Sequence, residues 1–550
     1  MENTIRKHVI ENAIKFKGKA NPGAIIGKIL AEYPEYKSKP KELMEIIKPI
    51  VDEVNDLSIE EQQSQLEKLG GSTEKEKKKR GMFDFLNTQG KINTAFPPGP
   101  EKYPHVGHAK SCLLNYMLAK EKDGKFVLRF EDTNPNLVKP EFYEIMQENF
   151  RWLGIEWDEL VYASDYMELF YEKALELIEK GKAYVDKSSG EDIKKSRETG
   201  EPTPYRELSI EENLNLWEEM KTLDEGIAIV RLKIDLKHKN SVLRDPTIFR
   251  VIKTPHARQG DKYNIWPNYD FQNAIMDSIN NVDMRLRSKE FEMRGELQRW
   301  IQKELGIKET GTYEFGRFNM TGVLSSGRVI REKIDKGELI GWDDPSLTTI
   351  VALRRRGFLP EAIKNFVVST GLSKADATVT WDDMVMHNKR LLDNKAERYS
   401  AIFDTMEITV ENCPEKEVEL SLNPNQKEGG RNFKVDGNFI ISKEDYESIE
   451  EDELVRMMDC VNVIKKDGKL VYHSEGYMDF KGKGNRIINW LPIDGNFEIS
   501  VMMPDKTFRT GFAEHTISKI EVGQVVQFER FAFCRLDKIE NNAYHFWYTH

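Results

Sequence analysis

Apolar residues recur at helical spacing near the start of the chain: Ile5, Val9, Ala13 and Phe16 form one stripe, and Leu43, Ile47, Ile50, Val54 and Leu57 form another. The breaker cluster GKANPG separates the two, and Ser58 followed by Glu61 makes a capping box that opens a further helix. A small helical domain is predicted. From Lys91 the texture changes to short apolar runs punctuated by Gly and Pro, alternating with amphipathic helices such as Tyr166 to Lys180. That alternation predicts strands and helices on a parallel sheet. KFVLRF at 125–130 reads as one strand, and the same texture resumes from Ile227 to about Gly306 after an insertion, about 187–224, rich in Glu, Lys and Pro.

Beyond Pro345 the pattern is helical, and from Met406 it alternates strictly: Met406, Ile408 and Val410, then Val418, Leu420 and Leu422. Asp467-Gly468 between two apolar runs signals a hairpin, and 523–536 and 543–548 read as further strands. The pattern thus predicts a helical domain and linker over 1–80, an α/β domain over 81–343, a helical connector over 344–400 and one or two small β-barrels over 401–550.

Composition narrows the setting. A chain of 550 residues accommodates roughly three to four domains, and no apolar run reaches the ~18 residues of a membrane span. The N-terminal segment has acids among its bases and no continuous apolar region, unlike a secretory leader. Cys112, Cys413, Cys460 and Cys534 are too scattered for a zinc knuckle or a disulfide framework, which points to a reducing, cytoplasmic setting. The net charge of −11 disfavours a general polyanion binder but permits a local basic face. EKEKKKR at 74–80 reads first as a solvated linker and second as an RNA-backbone contact.

The stretch FPPGPEKYPHVGHAK, 96–110, carries the chemistry. Its prolines hold off a helix until Pro104, so His105, Gly107 and His108 fall on the opening turn, where free backbone N–H groups and the helix dipole favour phosphate. Two imidazoles three residues apart suit a phosphate whose charge grows in a transition state, and Gly107 leaves room for a flat base. Taken alone, the spacing also fits a surface pair or half of a metal site.

This segment resembles the HIGH signature of class I aminoacyl-tRNA synthetases, in the form typical of the glutamyl and glutaminyl branch. FVLRFEDTNP from Phe126 is similar to that branch's next motif, and WPNYDF from Trp266 with Met276 to Glu290 is similar to its amino-acid pocket. The leading IRKHVIENAIKFKGKANPGAIIGKIL and the trailing VYHSEGY, RIINWLP and VVQFERFAFCRLDK are similar to the archaeal glutamyl pattern, in which the C-terminal half is β-barrel. The resemblance implies a Rossmann-like α/β catalytic core, an N-terminal helical domain and all-β anticodon-binding barrels.

It also implies a reaction: glutamate joined to tRNA(Glu) through an adenylate, with ATP as substrate, Mg²⁺ as helper and no resident metal ligands. tRNA(Gln) as a second acceptor stays open. By resemblance His105, Gly107 and His108 serve ATP; Glu131 takes the substrate's α-amino group; Tyr269 and Asn273 line the amino-acid pocket; and Arg287 reaches the side-chain carboxylate. The basic cluster Arg354, Arg355 and Arg356 is expected on tRNA phosphates, and a monomer is expected.

Two positions depart from the family pattern. Ala95 stands where an arginine is usual, and the second signature, KMSKS, is represented by VLSSG at 323–327, without lysine. Ser325, Ser326 and Arg328 are expected to serve ATP there, with Arg331 and Lys333 as further replacements for the missing lysine. Three alternatives remain: a glutaminyl enzyme, a nucleotidyl-transferring relative acting on a small molecule, and a retired synthetase that binds tRNA without chemistry. The β region argues against the second, and the intact HVGH argues against the third.

Overall fold

The computed structural model describes every residue except 17, 70–80, 87, 89, 424 and 425, and omits the side chains of 37, 38, 67 and 426–429. The basic run at 74–80 lies outside the described residues. The chain divides into two compact units, Met1–Thr88 and Gln89–His550.

The first unit holds helices α1 (Glu2–Lys15), α2 (Pro22–Glu32), α3 (Pro40–Asn55) and α4 (Ile59–Lys68). Ile5, Val9 and Ala13 pack with Ile25, Ile29, Leu43, Ile47 and Val54. Phe16 leaves the expected stripe: α1 ends at Lys15, and the ring, one residue past that end, is 55 % exposed while Ile10 is buried. The Ser58–Glu61 capping box is present, with the Ser58 N–H donating to Glu61 at 2.8 Å and the Glu61 N–H to Ser58 Oγ at 3.2 Å.

The second unit begins with β1 (Thr94–Phe96), α5 (Val106–Glu121), β2 (Phe126–Phe130), α6 (Pro140–Trp152), β3 (Glu159–Tyr162) and α7 (Met167–Glu179). The strands pair in parallel in the order β1-β2-β3. Next come β4 (Ala183–Asp186), α8 (Gly190–Thr199), α9 (Ile210–Met220), β5 (Ile229–Leu232), β6 (Thr247–Val251) and β7 (Ile265–Pro267). These four strands form a separate antiparallel sheet in sequential order. The insertion is therefore wider than 187–224, and the stretch from Ile227 does not continue the parallel core. Short buried strands of either kind give the same run of apolar residues, so the pattern could not separate them.

The parallel core returns with α10 (Tyr269–Ile279), β8 (Met284–Ser288), α11 (Glu292–Glu304) and β9 (Gly311–Phe315), β8 and β9 pairing in parallel. The Asn93 carbonyl accepts from the N–H groups of Asp283 (2.9 Å) and Met284 (3.3 Å), which seats the start of β1 beside β8. One turn further, the strands are wedged apart by the Asn115 side chain, which donates to the Leu286 carbonyl (2.6 Å) and accepts from its N–H (2.9 Å). The order across the core is thus β3-β2-β1-β8-β9, and it reverses between β1 and β8. In open α/β sheets that is where ligands bind, beyond the carboxyl ends of the strands.

Helices α12 (Gly327–Asp335), α13 (Ile350–Arg355), α14 (Pro360–Thr370) and α15 (Trp381–Lys395) lead to the β region. There, one seven-stranded sheet has Arg398–Tyr399 at one edge and Ala401–Phe403 at the other. Only Ser400 separates those edges in the chain, so the sheet has to curl round into a barrel. A second seven-stranded sheet closes in the same way, with Arg486–Ile488 and Leu491–Pro492 at its two edges. The second barrel, from Thr405 to Pro492, is nested in the chain of the first, which resumes at Phe497. The Asp467-Gly468 hairpin is present, both residues having positive φ (49° and 73°).

Candidate active site

A cavity of about 850 Å³ opens beyond the carboxyl ends of β1 and β8. His105, Gly107, His108, Glu131, Tyr269, Arg287 and Ser325 all line it.

His105 caps α5, and the two imidazoles sit with ring centroids 4.0 Å apart. The Gly107 N–H donates to His105 Nδ1 (3.0 Å), and the His105 N–H donates to His108 Nδ1 (3.2 Å). Burial holds His105 down to about 4 and His108 well below its usual value, so both rings are neutral at physiological pH. A neutral ring whose Nδ1 accepts carries its proton on Nε2, so each imidazole keeps an Nε2–H donor to offer. The expected free backbone N–H groups are absent from this turn: the imidazoles take those of His105 and Gly107, and Thr348 O takes that of Val106 at 3.0 Å. Anion binding here falls to side chains. Gly107 is needed even before any base arrives, because a Cβ would lie 2.8 Å from the His105 ring.

At the other end of the cavity lies a buried charge network. Glu131 leaves the end of β2 and accepts from Gln272 Nε2 (2.5 Å) and Asn273 Nδ2 (2.6 Å). Burial lifts its carboxyl to about 8, with Arg129 and Arg285 pulling the other way. Asn273 is fully enclosed; it holds Glu131, Arg129 and Arg285 together and does not line the cavity as expected. Tyr269 does line it, stacked obliquely against Phe291 at 5.5 Å. Arg287 lines it too, but its Nε and Nη2 donate to Glu314 (3.2 Å each) and its Nη1 to Gln298 (2.8 Å).

The VLSSG loop leads into α12. Ser325 reaches the cavity, while Ser326 caps the helix by accepting from the Val329 N–H at 3.5 Å. Arg328 is turned outward, its side chain 84 % exposed and paired with Glu332 at 3.6 Å. Arg331 donates to the Glu101 carbonyl at 3.2 Å, and Lys333 pairs with Glu338. None of these three bases lines the cavity, because the helix that begins at Gly327 carries them away from it. Lys102 lines it instead, with its side chain against Gly327, where a Cβ would come within 2.8 Å.

Arg354 to Arg356 do not form one basic face. Arg354 pairs with Glu148 at 3.0 Å on the surface. Arg355 is shared between Asp537 (2.8 Å) and Asp343 (2.5 Å) and lies over the Trp547 ring. Arg356 is buried, donating to the carbonyls of Pro345 (3.0 Å) and Thr549 (2.8 Å) with its guanidinium over Trp381. Arg355 and Arg356 therefore fasten α13 to the first barrel, which leaves Arg354 as the most exposed of the three.

Residues 91–394 match the family described as tRNA synthetases class I (E and Q), catalytic domain, and 396–475 and 487–537 match its two anticodon-binding domains. The chain belongs to that family. It is 37 % identical over 555 residues to the glutamate–tRNA ligase of Methanocaldococcus jannaschii and 39 % over 572 residues to that of Pyrococcus furiosus, covering all of both chains in each case. A solved glutamate tRNA ligase from Elizabethkingia meningosepticum aligns over 55 % of this chain and 70 % of its own, at 20 % identity and a TM-score of 0.42.

Within this class I synthetase several pocket residues escaped the sequence reading: Lys102, Gln272 and Arg285 line the cavity, and Arg129 braces it from beneath. Lys102, Arg129 and Arg285 all stand inside stretches that carry the resemblance, without a role of their own there. Arg285 had a signal of its own, since MRLRS places it two residues before Arg287 on the same face of a strand.

Proposed function

We propose that this synthetase attaches glutamate to tRNA(Glu) in two steps, acting as a cytoplasmic monomer. First the α-carboxylate oxygen of glutamate attacks the α-phosphorus of ATP and pyrophosphate leaves; then a terminal ribose hydroxyl of tRNA displaces AMP from the adenylate. The observation that carries this reading is the polarity of one cavity. Neutral imidazoles with Nε2–H donors stand at one end, and a carboxyl among buried guanidiniums stands at the other.

The imidazoles can donate to phosphate oxygens as charge builds on them, without like-charge repulsion between the rings. Glu131, once deprotonated, is suited to the α-ammonium group. Ser325 and Lys102 stand where a triphosphate would extend. Mg²⁺ would come with the nucleotide as its counter-ion, and Glu101, which lines that end, is a carboxylate able to share its coordination. The ion would neutralise phosphate charge. Full-length relatives named as glutamate–tRNA ligases support glutamate over glutamine. Four unpaired cysteines, three of them buried, suit a reducing cytoplasm. Among the described residues no helix is long and apolar enough to cross a membrane.

The test is ATP/pyrophosphate exchange and tRNA charging with glutamate or glutamine, using tRNA(Glu) and tRNA(Gln) in turn. Glutamate-dependent charging of tRNA(Glu) is expected. Charging with glutamine would make it a glutaminyl enzyme, and tRNA binding without exchange would make it a retired paralogue.

A further inference from the structure

The charges at the amino-acid end do not balance. Arg129 Nη2 lies 2.8 Å from Asp277 Oδ1, and Arg285 Nη1 lies 3.1 and 3.0 Å from the two oxygens of the same carboxylate. Two guanidiniums thus share one aspartate, while Glu131, held up to about 8, is mostly protonated at neutral pH. Arg287, by contrast, is matched one to one by Glu314. It is also boxed in, since a Cβ at Gly295 would come within 2.7 Å of its Nη2.

Arg129 does not line the cavity, whereas Arg285 does. Among the described residues neither Nε nor Nη2 of Arg285 has a hydrogen-bond partner, and neither is sealed away from the cavity. Those two N–H groups form one edge of the guanidinium plane, a parallel pair spaced to match the two oxygens of a carboxylate. A nearly buried cation with an open edge wants an anion there. The neighbouring strand leaves the space free. Ala95 on that strand is fully buried and brings no polar group of its own.

We propose that Arg285, through its Nε and Nη2 edge, holds the side-chain carboxylate of the amino acid, and that Arg287 is a positioning residue locked to Glu314. The inference rests on the glutamate reading above. The α-carboxylate is not the partner, because it has to stay free to attack phosphorus at the histidine end.

The test compares wild type with Arg285→Met and Arg285→Lys, reading the KM for glutamate, the KM for ATP and the inhibition constant of glutamine. Both variants should raise the KM for glutamate about a hundredfold, leave the KM for ATP within about threefold and scarcely move glutamine inhibition. Equal losses for glutamate and glutamine would overturn the proposal, and so would full recovery in Arg285→Lys, which keeps only the charge beside Asp277. Should Arg285→Met fail to fold, Arg285→Gln, which keeps a polar group beside Asn273 and Asp277 without the charge or the paired edge, takes its place under the same criteria. Glutamate-dependent thermal stabilisation, measured in parallel, separates the two readings. If wild type charges no tRNA yet is stabilised by glutamate, and the variant is not, the ligase reading falls and Arg285 stands. If wild type charges tRNA and the variant keeps its glutamate KM, Arg285 falls alone.

Discussion

Arg129 and Arg328, neither of which lines the cavity, show how differently its surroundings are built at the two ends. Arg129 has no exposed surface and donates to Asn280, Asn273, Asp277 and Glu131, while Arg328 is 84 % exposed on the outer face of α12 and paired with Glu332. At the amino-acid end the charges are fixed before any substrate arrives, so binding there needs little reorganisation. At the histidine end the fixed groups are the neutral imidazoles and the buried Lys110, with Lys102 at the wall. On the proposed function, recognition of the amino acid is built into the fold.

Four measurements press on that contrast. The largest effect belongs to Arg129→Met, which takes one of the two guanidiniums from Asp277 and a donor from Asn280 and Glu131, and should cost ~3 to 5 kcal/mol of folding stability in urea denaturation. Arg328→Met should leave the midpoint where it was, and equal losses would erase the distinction. Next, His105→Ala or His108→Ala should slow adenylate formation about a hundredfold, from the loss of ~3 kcal/mol of transition-state stabilisation, with the KM for glutamate little changed. A parallel rise in that KM would join the imidazoles to the amino-acid end.

The third measurement is a pH profile. Glu131 is held protonated up to about 8, and an ammonium ligand prefers its anion, so binding below that pH requires a proton to leave. The KM for glutamate should therefore fall by up to about tenfold per unit as pH rises toward 8 and then level off. The KM for ATP should lack this slope, and Glu131→Gln should remove it. The smallest effect concerns cations at the nucleotide end. Lys102→Ala should raise the KM for ATP about fivefold, roughly 1 kcal/mol, and Arg328→Ala less than about twofold. The reverse order would return the role to the helix.

The sequence made the parts legible whose signal is local. Prolines before His105 and the Asp467-Gly468 pair act on their own backbone, and both features stand where the pattern put them. Arg356 was misread because burial of a charge leaves no mark in a run of three arginines: its partners are the carbonyls of Pro345 and Thr549, the latter nearly two hundred residues away in sequence. The resemblance points to Arg287, whose Nε and Nη2 meet Glu314 at 3.2 Å; the same edge of Arg285, two residues before it, has no hydrogen-bond partner among the described residues. The helix start at His105 was found, but not that its own imidazoles would consume the N–H groups that made it attractive.

The nesting of one barrel inside the other sets an order of events during synthesis. The edge strands Arg398–Tyr399 and Ala401–Phe403 leave the ribosome long before their partners at Val525–Phe528 and Phe508–Ala513 exist. The barrel between them is complete once Pro492 has emerged, and by folding first it draws the two ends of its own segment together. The waiting edges then face a shorter effective loop and a smaller entropic barrier to closure. Thr549 and His550, made later than the strands of either barrel, supply the contacts to Arg356 and Asn388 that seal the barrel to the helices before it.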